Sequence, residues 1–471
     1  MRKRVAILLV LILAAFSVSI VLRANCEGRT IVVPDDNPTI EAAIANANNG
    51  DTIFIRKGNY EGPLNQTIRI NKAITFYGED EYTTIINLNP PLVQKNIFTL
   101  YYMDYLSAIQ INSDNVKITG LTVSTPGGGI SAVGNEIRIV GINSATGISI
   151  DGSGAIISGN TLKGDLSVTG NNNTVASNLF QIGVTPPYFH FVGSNNVIIN
   201  NKLSSANETS NIKVEIEGAN NVVANNLLRA VYLKGDNNII YKNSIKAVPG
   251  DCGIYLSHSF ANKICANRVT YAESIIYQQE GIFLSESGDN VVYANNIESV
   301  FKGVYLQNTD TAPMVTNNNT FYHNNFINNQ IQAWDYTSST TNLFDNGKEG
   351  NYWSSYNGTD ANNDGIGDSP YKPTSLYVYG DVRKTTECSP DNYPLMKPFN
   401  IDNVTIEFPD WSSALLNPSP TPTPSITQLP TINTGPEPPQ IEPLTILVLG
   451  SVIVVAAVSV GLLVYFKKRK R

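Results

Sequence analysis

Between Asn115 and Asn325 the chain returns repeatedly to one phrase: a Gly or Ser turn, an Asn, a β-branched residue, two more positions and a second Asn. It reads Gly193-Ser-Asn-Asn-Val-Ile-Ile-Asn-Asn201, then Gly218-Ala-Asn-Asn-Val-Val-Ala-Asn-Asn226, then Gly235-Asp-Asn-Asn-Ile-Ile-Tyr-Lys-Asn243, and returns as Ser287-Gly-Asp-Asn-Val-Val-Tyr-Ala-Asn295. A phrase with a period of about twenty residues describes stacked units, none of which can bury its apolar face alone.

Each unit contributes two recognisable strands, one of the Asn-Val-x-Ile type and one alternating. In the alternating pieces Val231/Leu233, Ile254/Leu256, Ile282/Leu284 and Val304/Leu306 share one face, which must be the interior. Short strands without intervening helices predict a solenoid of parallel sheets, the rest of each coil supplying the crossover. The second Asn of each phrase marks the register at Leu121, Ile142, Asn160, Asn178, Asn201, Asn226, Asn243, Asn267, Asn295 and Asn325. Asn tolerates left-handed backbone, and its amide can bond to the same amide one layer away. Ten coils at ~4.8 Å make a rod of roughly 50 Å. Before them, Pro38 suits the first turn of a short helix with Ile40, Ala43, Ile44 and Ala47 on one face, a cap for the open end of the stack.

The pattern resembles the right-handed parallel β-helix family of pectate-lyase-like proteins over about residues 30–400. Within that family it is similar to the NosD-type, carbohydrate-binding and sugar-hydrolase (CASH) repeats of prokaryotic cell surfaces, and the resemblance implies an archaeal surface protein. The resemblance implies the fold. It implies less about activity, because such proteins include lyases, hydrolases, epimerases, adhesins and surface proteins.

The two ends suggest an exported, anchored chain. Basic residues 2–4 and an apolar run to Leu22 predict a signal peptide over 1–26, an uncleaved anchor being the alternative. Residues 444–466 are apolar and long enough to span a bilayer, and the basic tail 467–471 places the C-terminus in the cytoplasm. The tract 401–443, rich in Pro and Thr from Asn417 onward, predicts an extended stalk. The net charge of −7 understates the acidity of the exterior, since eight of the 32 basic residues lie at the two ends. That balance argues against nucleic acid and permits divalent cations. The sequons Asn65, Asn172, Asn207, Asn318, Asn357 and Asn403 are glycosylation candidates. A Cys252–Cys265 bridge is chemically permitted, with Cys388 left over.

Three site readings follow. Asp360, Asn362, Asp364, the Ile366 carbonyl and Asp368, with Gly365 at the turn, have the spacing of a calcium loop. Tyr371 stands where a closing Glu would be, so Asp381 or Asp391 would have to fold back; the alternative is an Asx-rich turn. Aligning coils on their turns puts Ser131, Ser149, Ser167, His190, Glu215, Tyr232, Tyr255, Phe283 and Tyr305 in one outward column. Its last four members form an aromatic stripe that can hold a polysaccharide, or else simply pair across strands. The next column reads Glu217, Lys234, Ser257, Ser285, Gln307, with no carboxylates stacked on neighbouring coils and with Asp251, Glu273 and Glu280 in loops. Catalysis by paired carboxylates is therefore the weaker expectation. Copper is not expected, because His190, His258, His323, Met103, Met314 and Met396 lack paired spacing.

The sequence thus predicts an all-β right-handed parallel β-helix with a membrane anchor and the bulk of the chain outside the cell. Residues 27–110 form the cap and first coils, 111–344 the repeats, and 345–400 a C-terminal cap with the calcium-like loop. The expected role is binding of a polysaccharide or surface glycoprotein. A polysaccharide-active enzyme and a passive structural protein are the alternatives.

Overall fold

The computed structural model describes residues 28–97, 100–181, 188–204, 213–248, 250–271, 279–308, 315–337, 341–379 and 382–407. The leader, the chain from 408 onward with its apolar run and basic tail, and Asn207, Glu273, Met314 and Asp381 lie outside them. Among the described residues no helix is long and apolar enough to cross a membrane.

The described residues form one compact unit, a parallel β-helix of three sheets with 13, 13 and 12 strands. The first sheet carries the Asn-Val-x-Ile strands, from Thr30–Val33 to Thr320–Tyr322. The third carries the alternating strands, from Ile68–Ile70 to Ile331–Tyr336. Between them runs a second sheet of short strands such as Lys202–Ser204 and Leu227–Leu228, where the sequence suggested only a connection. Two-residue strands carry too little alternation to be read. Thirteen strands at ~4.8 Å extend about 58 Å between the outer ones, longer than the Asn markers imply, because the coils at Thr52–Ile55 and Thr75–Gly78 lack the phrase.

The interior is continuous. Val231, Leu233, Ile254, Leu256, Ile282, Leu284, Val304 and Leu306 all point inward and are buried, as alternation requires. At the start lies the helix Ile40–Asn46, its Thr39 hydroxyl accepting from the Ala42 N–H. Ile40, Ala43, Ile44 and Ala47 are buried, so the capping face is the predicted one, with Pro38 one residue outside the N-cap. At the far end Phe326 stacks on Trp353 at 4.4 Å and Phe344 on Phe321 at 5.1 Å, closing the core with rings.

Two asparagine ladders run along the rod. One joins Asn160, Asn178, Asn201, Asn226, Asn243, Asn267, Asn295, Asn324 and Asn351, all buried. The Asn226 side-chain oxygen accepts from the Asn201 backbone N–H (2.8 Å) and amide (3.1 Å). Its own amide donates to Ile198 O (2.8 Å) and Asn243 Oδ1 (3.0 Å). A second ladder joins Asn173, Asn196, Asn221, Asn238, Asn262, Asn290, Asn319 and Asn342 through backbone N–H donors. The marker in the last repeat is Asn324; Asn325 lies one position on and exchanges hydrogen bonds with Phe399. The left-handed conformation belongs to the preceding residue, such as Asn200 (φ 57) or Asn225 (φ 55), and Lys242, Ala266 and Ala294 adopt it too. The phrase's glycine has its own reason: a Cβ at Gly218 would lie 2.0 Å from Gly193 O on the adjoining coil.

The ladders fix one corner of the coil and leave another free. From Lys117–Thr119 onward the chain turns from the first sheet to the second in two residues, as at Asn200-Asn201, Asn225-Asn226 and Ala294-Asn295. From the second sheet to the third the corner is one residue between Leu228 and Ala230, yet a whole antiparallel hairpin between Asn89 and Ile109. Coil length accordingly ranges from 17 to 29 residues, measured between ladder asparagines.

After the cap, residues 399–407 run back along the outside of the first sheet. Phe399 stacks on His323 (4.2 Å), Asp402 pairs with Arg268 (2.7 Å), and Val404 O accepts from the Tyr241 hydroxyl (2.8 Å). Val404 and Ile406 then pack against the buried cluster of Ala176, Ile199, Val222, Ala224, Tyr241, Cys265 and Ala266.

Asn226→Ala removes a side chain that makes four hydrogen bonds and leaves buried partners unsatisfied, so unfolding free energy should fall by about 2–4 kcal/mol. Asn225→Gly, one residue away in the exposed left-handed position, should change it by less than ~0.5 kcal/mol. Equal losses in chemical denaturation would refute the division of roles.

Candidate functional site

Because insertions collect where the second sheet meets the third, the third sheet is the face whose surroundings vary from coil to coil. Repeats commonly place binding surfaces on such a face. Its register carries the predicted column: Ser131, Ser149, Ser167, His190, Glu215, Tyr232, Tyr255, Phe283 and Tyr305 pair strand to strand. The column continues to Trp334, absent from the sequence reading because its strand lacks the preceding Gly.

The aromatic stripe is not an open platform. Phe283 stacks on Tyr255 and on Tyr305, both at 4.8 Å and 29°, so both of its faces are occupied. Tyr232 meets Tyr255 edge-on at 5.1 Å and carries the Lys213 ammonium 4.3 Å from its ring centre. Lys302 sits 4.0 Å from the Tyr305 ring centre and 4.9 Å from that of Trp334. Rings stacked along the rod axis present edges to solvent, whereas a sugar needs a ring face. The geometry is that of cross-strand pairing.

Beside the stripe lies a buried polar cluster that the sequence left in unplaced loops. Glu280 opens the third-sheet strand Glu280–Ser285 and is paired with Lys302 at 2.7 Å, both side chains nearly closed to solvent. Asp251, in the corner before Ile254–Ser257, accepts from the Tyr232 hydroxyl, and its carbonyl accepts from the Tyr271 hydroxyl. Cys252 lies against Glu280 (3.5 Å), and burial, followed by the neighbouring carboxylates, pushes its thiol well above the usual range. Burial likewise raises the Tyr232 and Tyr271 phenols. Such thiols and phenols stay protonated at neutral pH, so the cluster serves to hold the corner against the sheet. Cys252, Cys265 and Cys388 are all free thiols and buried; the permitted Cys252–Cys265 bridge is not made.

Nearer the N-terminus the same face is open. Tyr188, positioned by its N–H to Asp165 (2.7 Å), is 46% exposed. Its hydroxyl donates to Glu215 at 2.8 Å, and desolvation of that hydroxyl, then the Glu215 bond and charge, push the phenol up to about 12. Alternation turns Glu215 and Glu217 outward on one strand, roughly 6.6 Å of strand rise apart. Glu217 lies 3.8 Å from His190 and 4.0 Å from Lys234. Ahead of them Ser131, Ser149 and Ser167 form a flat hydroxyl column. The plain interpretation is a set of surface ion pairs worth little energy. The exposed ring among donors and acceptors is what that interpretation leaves unexplained. Tyr188 closes an insertion, outside any repeat alignment, so only Pro186-Pro187-Tyr188 before an alternating strand could have signalled it.

None of the histidines is isolated: besides His190, His258 meets Glu286 and His323 meets Glu349, each at 2.6 Å. In the calcium-like loop, Asp360 accepts from the N–H groups of Asp364 and Gly365, Asp364 from that of Ile366, and Asp368 from Thr359 and Ala361. Among the described residues no three acidic, His or Cys side chains converge as a metal shell. Asp391 cannot close this one, since it is buried and accepts from Asn351 N (2.7 Å), Trp353 Nε1 (2.8 Å) and Tyr393 N (3.0 Å). The loop is nonetheless stitched to the cap through Gly367 N to Pro394 O and Met396 N to Gly365 O. The sequons Asn65, Asn172, Asn318, Asn357 and Asn403 are all exposed.

Lys302→Met strands the Glu280 charge in a buried site and should cost about 3–5 kcal/mol of stability. Adding Glu280→Gln should recover a substantial part, and a double-mutant cycle in denaturant measures it. Additive losses would mean that the pair is not coupled.

Residues 166–358 match the family model described as periplasmic copper-binding protein (NosD). Over 121 residues the chain is 36% identical to the probable ABC transporter binding protein NosD of Stutzerimonas stutzeri, a match spanning 24% of this chain and 26% of that protein. The chain thus spans about a quarter of the length of that curated relative. Among solved structures, the catalytic domain of an alpha-1,3-glucanase in complex with tetrasaccharides aligns with TM-score 0.51 at 14% identity, covering 70% of each chain. The A-module of a mannuronan C-5 epimerase of Azotobacter vinelandii aligns over 62% of this chain and 89% of its own, with TM-score 0.42 and 13% identity. The glucanase likeness shows the fold alone. Over residues 166–358 the chain is similar to the NosD family, and its fold is a parallel β-helix.

Proposed function

We propose that this protein is a membrane-anchored surface protein that binds a polysaccharide, or the glycan of a surface glycoprotein, along the third sheet. The observation that carries the reading is Tyr188: an exposed ring, held in place, beside Glu215, Glu217, His190 and Lys234 on the face where the corners vary. An aromatic face for C–H stacking and flanking groups that accept and donate hydrogen bonds are what a sugar requires. On this reading the contact is made by Tyr188 rather than by Tyr232, Tyr255, Phe283 and Tyr305. The glucanase domain that shares the fold is in complex with tetrasaccharides, which fits the reading. The export signal, stalk and membrane helix read from the sequence would set this face outside the cell, with glycans of its own at the exposed sequons.

The two outward carboxylates, Glu215 and Glu217, favour one rival, a glycoside-cleaving enzyme, because such chemistry uses a pair of carboxyl groups. For copper binding, which the matched family's description names, the candidate His ligands are each engaged by a Glu. We also propose that Asp360, Asn362, Asp364, the Ile366 carbonyl and Asp368 rearrange around calcium and so pin the cap.

In affinity electrophoresis through a panel of soluble polysaccharides, Tyr188→Ala should weaken retardation by the retained glycan about tenfold, equivalent to about 1.4 kcal/mol. Tyr255→Ala should leave it unchanged while lowering stability. Loss on Tyr255→Ala alone would return the site to the stripe, and no retardation by any glycan would leave the structural-protein reading. Reducing ends released by the parent and not by Glu217→Gln would make it an enzyme. For calcium, a chelator should lower the melting temperature of the parent and leave that of Asp364→Ala unmoved; a parent indifferent to chelator ends that proposal.

A further inference from the structure

At the N-terminal end, far along the stack from Tyr188, the first turn of the capping helix and the strand Gly58–Leu64 enclose a cavity of about 540 Å³. That volume lies in the range of small-molecule sites. The cavity exists because the strand leaves its neighbour: its register with Thr84–Asn89 shifts between Glu61 and Leu64. Gly62 sits at the shift, where a Cβ would meet Leu88 Cδ2 at 2.6 Å and Gln66 Oε1 at 2.7 Å.

The floor is apolar, with Ile40, Ile68, Ile86 and Leu88. The rim is acidic. Glu61 is exposed and among the described residues accepts from the Asn59 amide alone (2.9 Å), while Glu41 accepts from the Gln66 amide. Neither carboxylate has a cationic partner among the described residues. The Gln66 amide nitrogen is turned to Glu41, and its oxygen is buried with no donor. A buried acceptor without a donor is unfavourable, and a small turn of this side chain would let a ligand N–H reach it.

We propose that this cavity binds a small organic cation: a primary ammonium carried on an apolar body, the body on the isoleucine floor and the ammonium among Glu41, Glu61 and Gln66 Oε1. The inference does not depend on glycan binding, since none of Tyr188, His190, Glu215, Glu217 and Lys234 lines the cavity.

The test is ligand-observed NMR on the full chain in detergent with three probes of one shape, benzylammonium, benzyl alcohol and benzoate. Benzylammonium should bind about fivefold or more tightly than benzyl alcohol, in line with one charge-assisted contact, and benzoate should not compete. Gly62→Leu should abolish binding, and Glu61→Gln should bring benzylammonium close to the alcohol. If Gly62→Leu fails to fold by circular dichroism, the Glu61→Gln comparison decides alone. Equal binding of alcohol and ammonium, no binding at millimolar probe, or binding untouched by a folded Gly62→Leu would each overturn the proposal.

Discussion

Everything in this rod depends on how a turn with no room for water satisfies its buried polar groups. Where the ladder runs, each coil doubles back between its first and second sheets in two residues, and the backbone N–H of the turning residue then points along the axis into the next coil. The ladder asparagine one coil on accepts that N–H and passes its own amide to the backbone behind and to the next asparagine. Its polar atoms are therefore spent within the stack, and the corner can be buried. Because a ladder bond reaches only one layer, the coils are held in register, and the inward columns of Ile, Leu and Val follow from it.

That constraint also explains what the sequence could and could not reveal. Where the ladder runs, an Asn at fixed spacing is a ruler, so the inward set and the outward column through Tyr232, Tyr255, Phe283 and Tyr305 were legible residue by residue. The first coils lie beyond the ladder, which is why the sequence implies a shorter rod, and Trp334 escapes the alignment because its strand lacks the preceding Gly. The second sheet was hidden for a different reason: strands such as Leu227–Leu228 are too short to alternate.

The sites were less legible than the fold because they are built from corners of unequal length. Asp251 and Glu280 come together only after two insertions close on one sheet, and Tyr188 ends another. No alignment of repeats could place them. Conversely the stripe, which the ruler placed correctly, proved to be occupied by itself: rings at strand spacing use each other's faces. Register tells which residues are neighbours, and the neighbours' own packing decides whether a partner can reach them.

The return of residues 399–407 along the first sheet changes how this protein would carry load. Tension applied beyond Glu407 would enter the rod not at its last coil but beside Tyr241, through Val404, Ile406 and the Arg268–Asp402 pair. Those contacts would have to peel one after another before any force reached the cap at Trp353. The segment would act as a sacrificial fastening, and the ring-packed end of the core would be the last part to feel the pull.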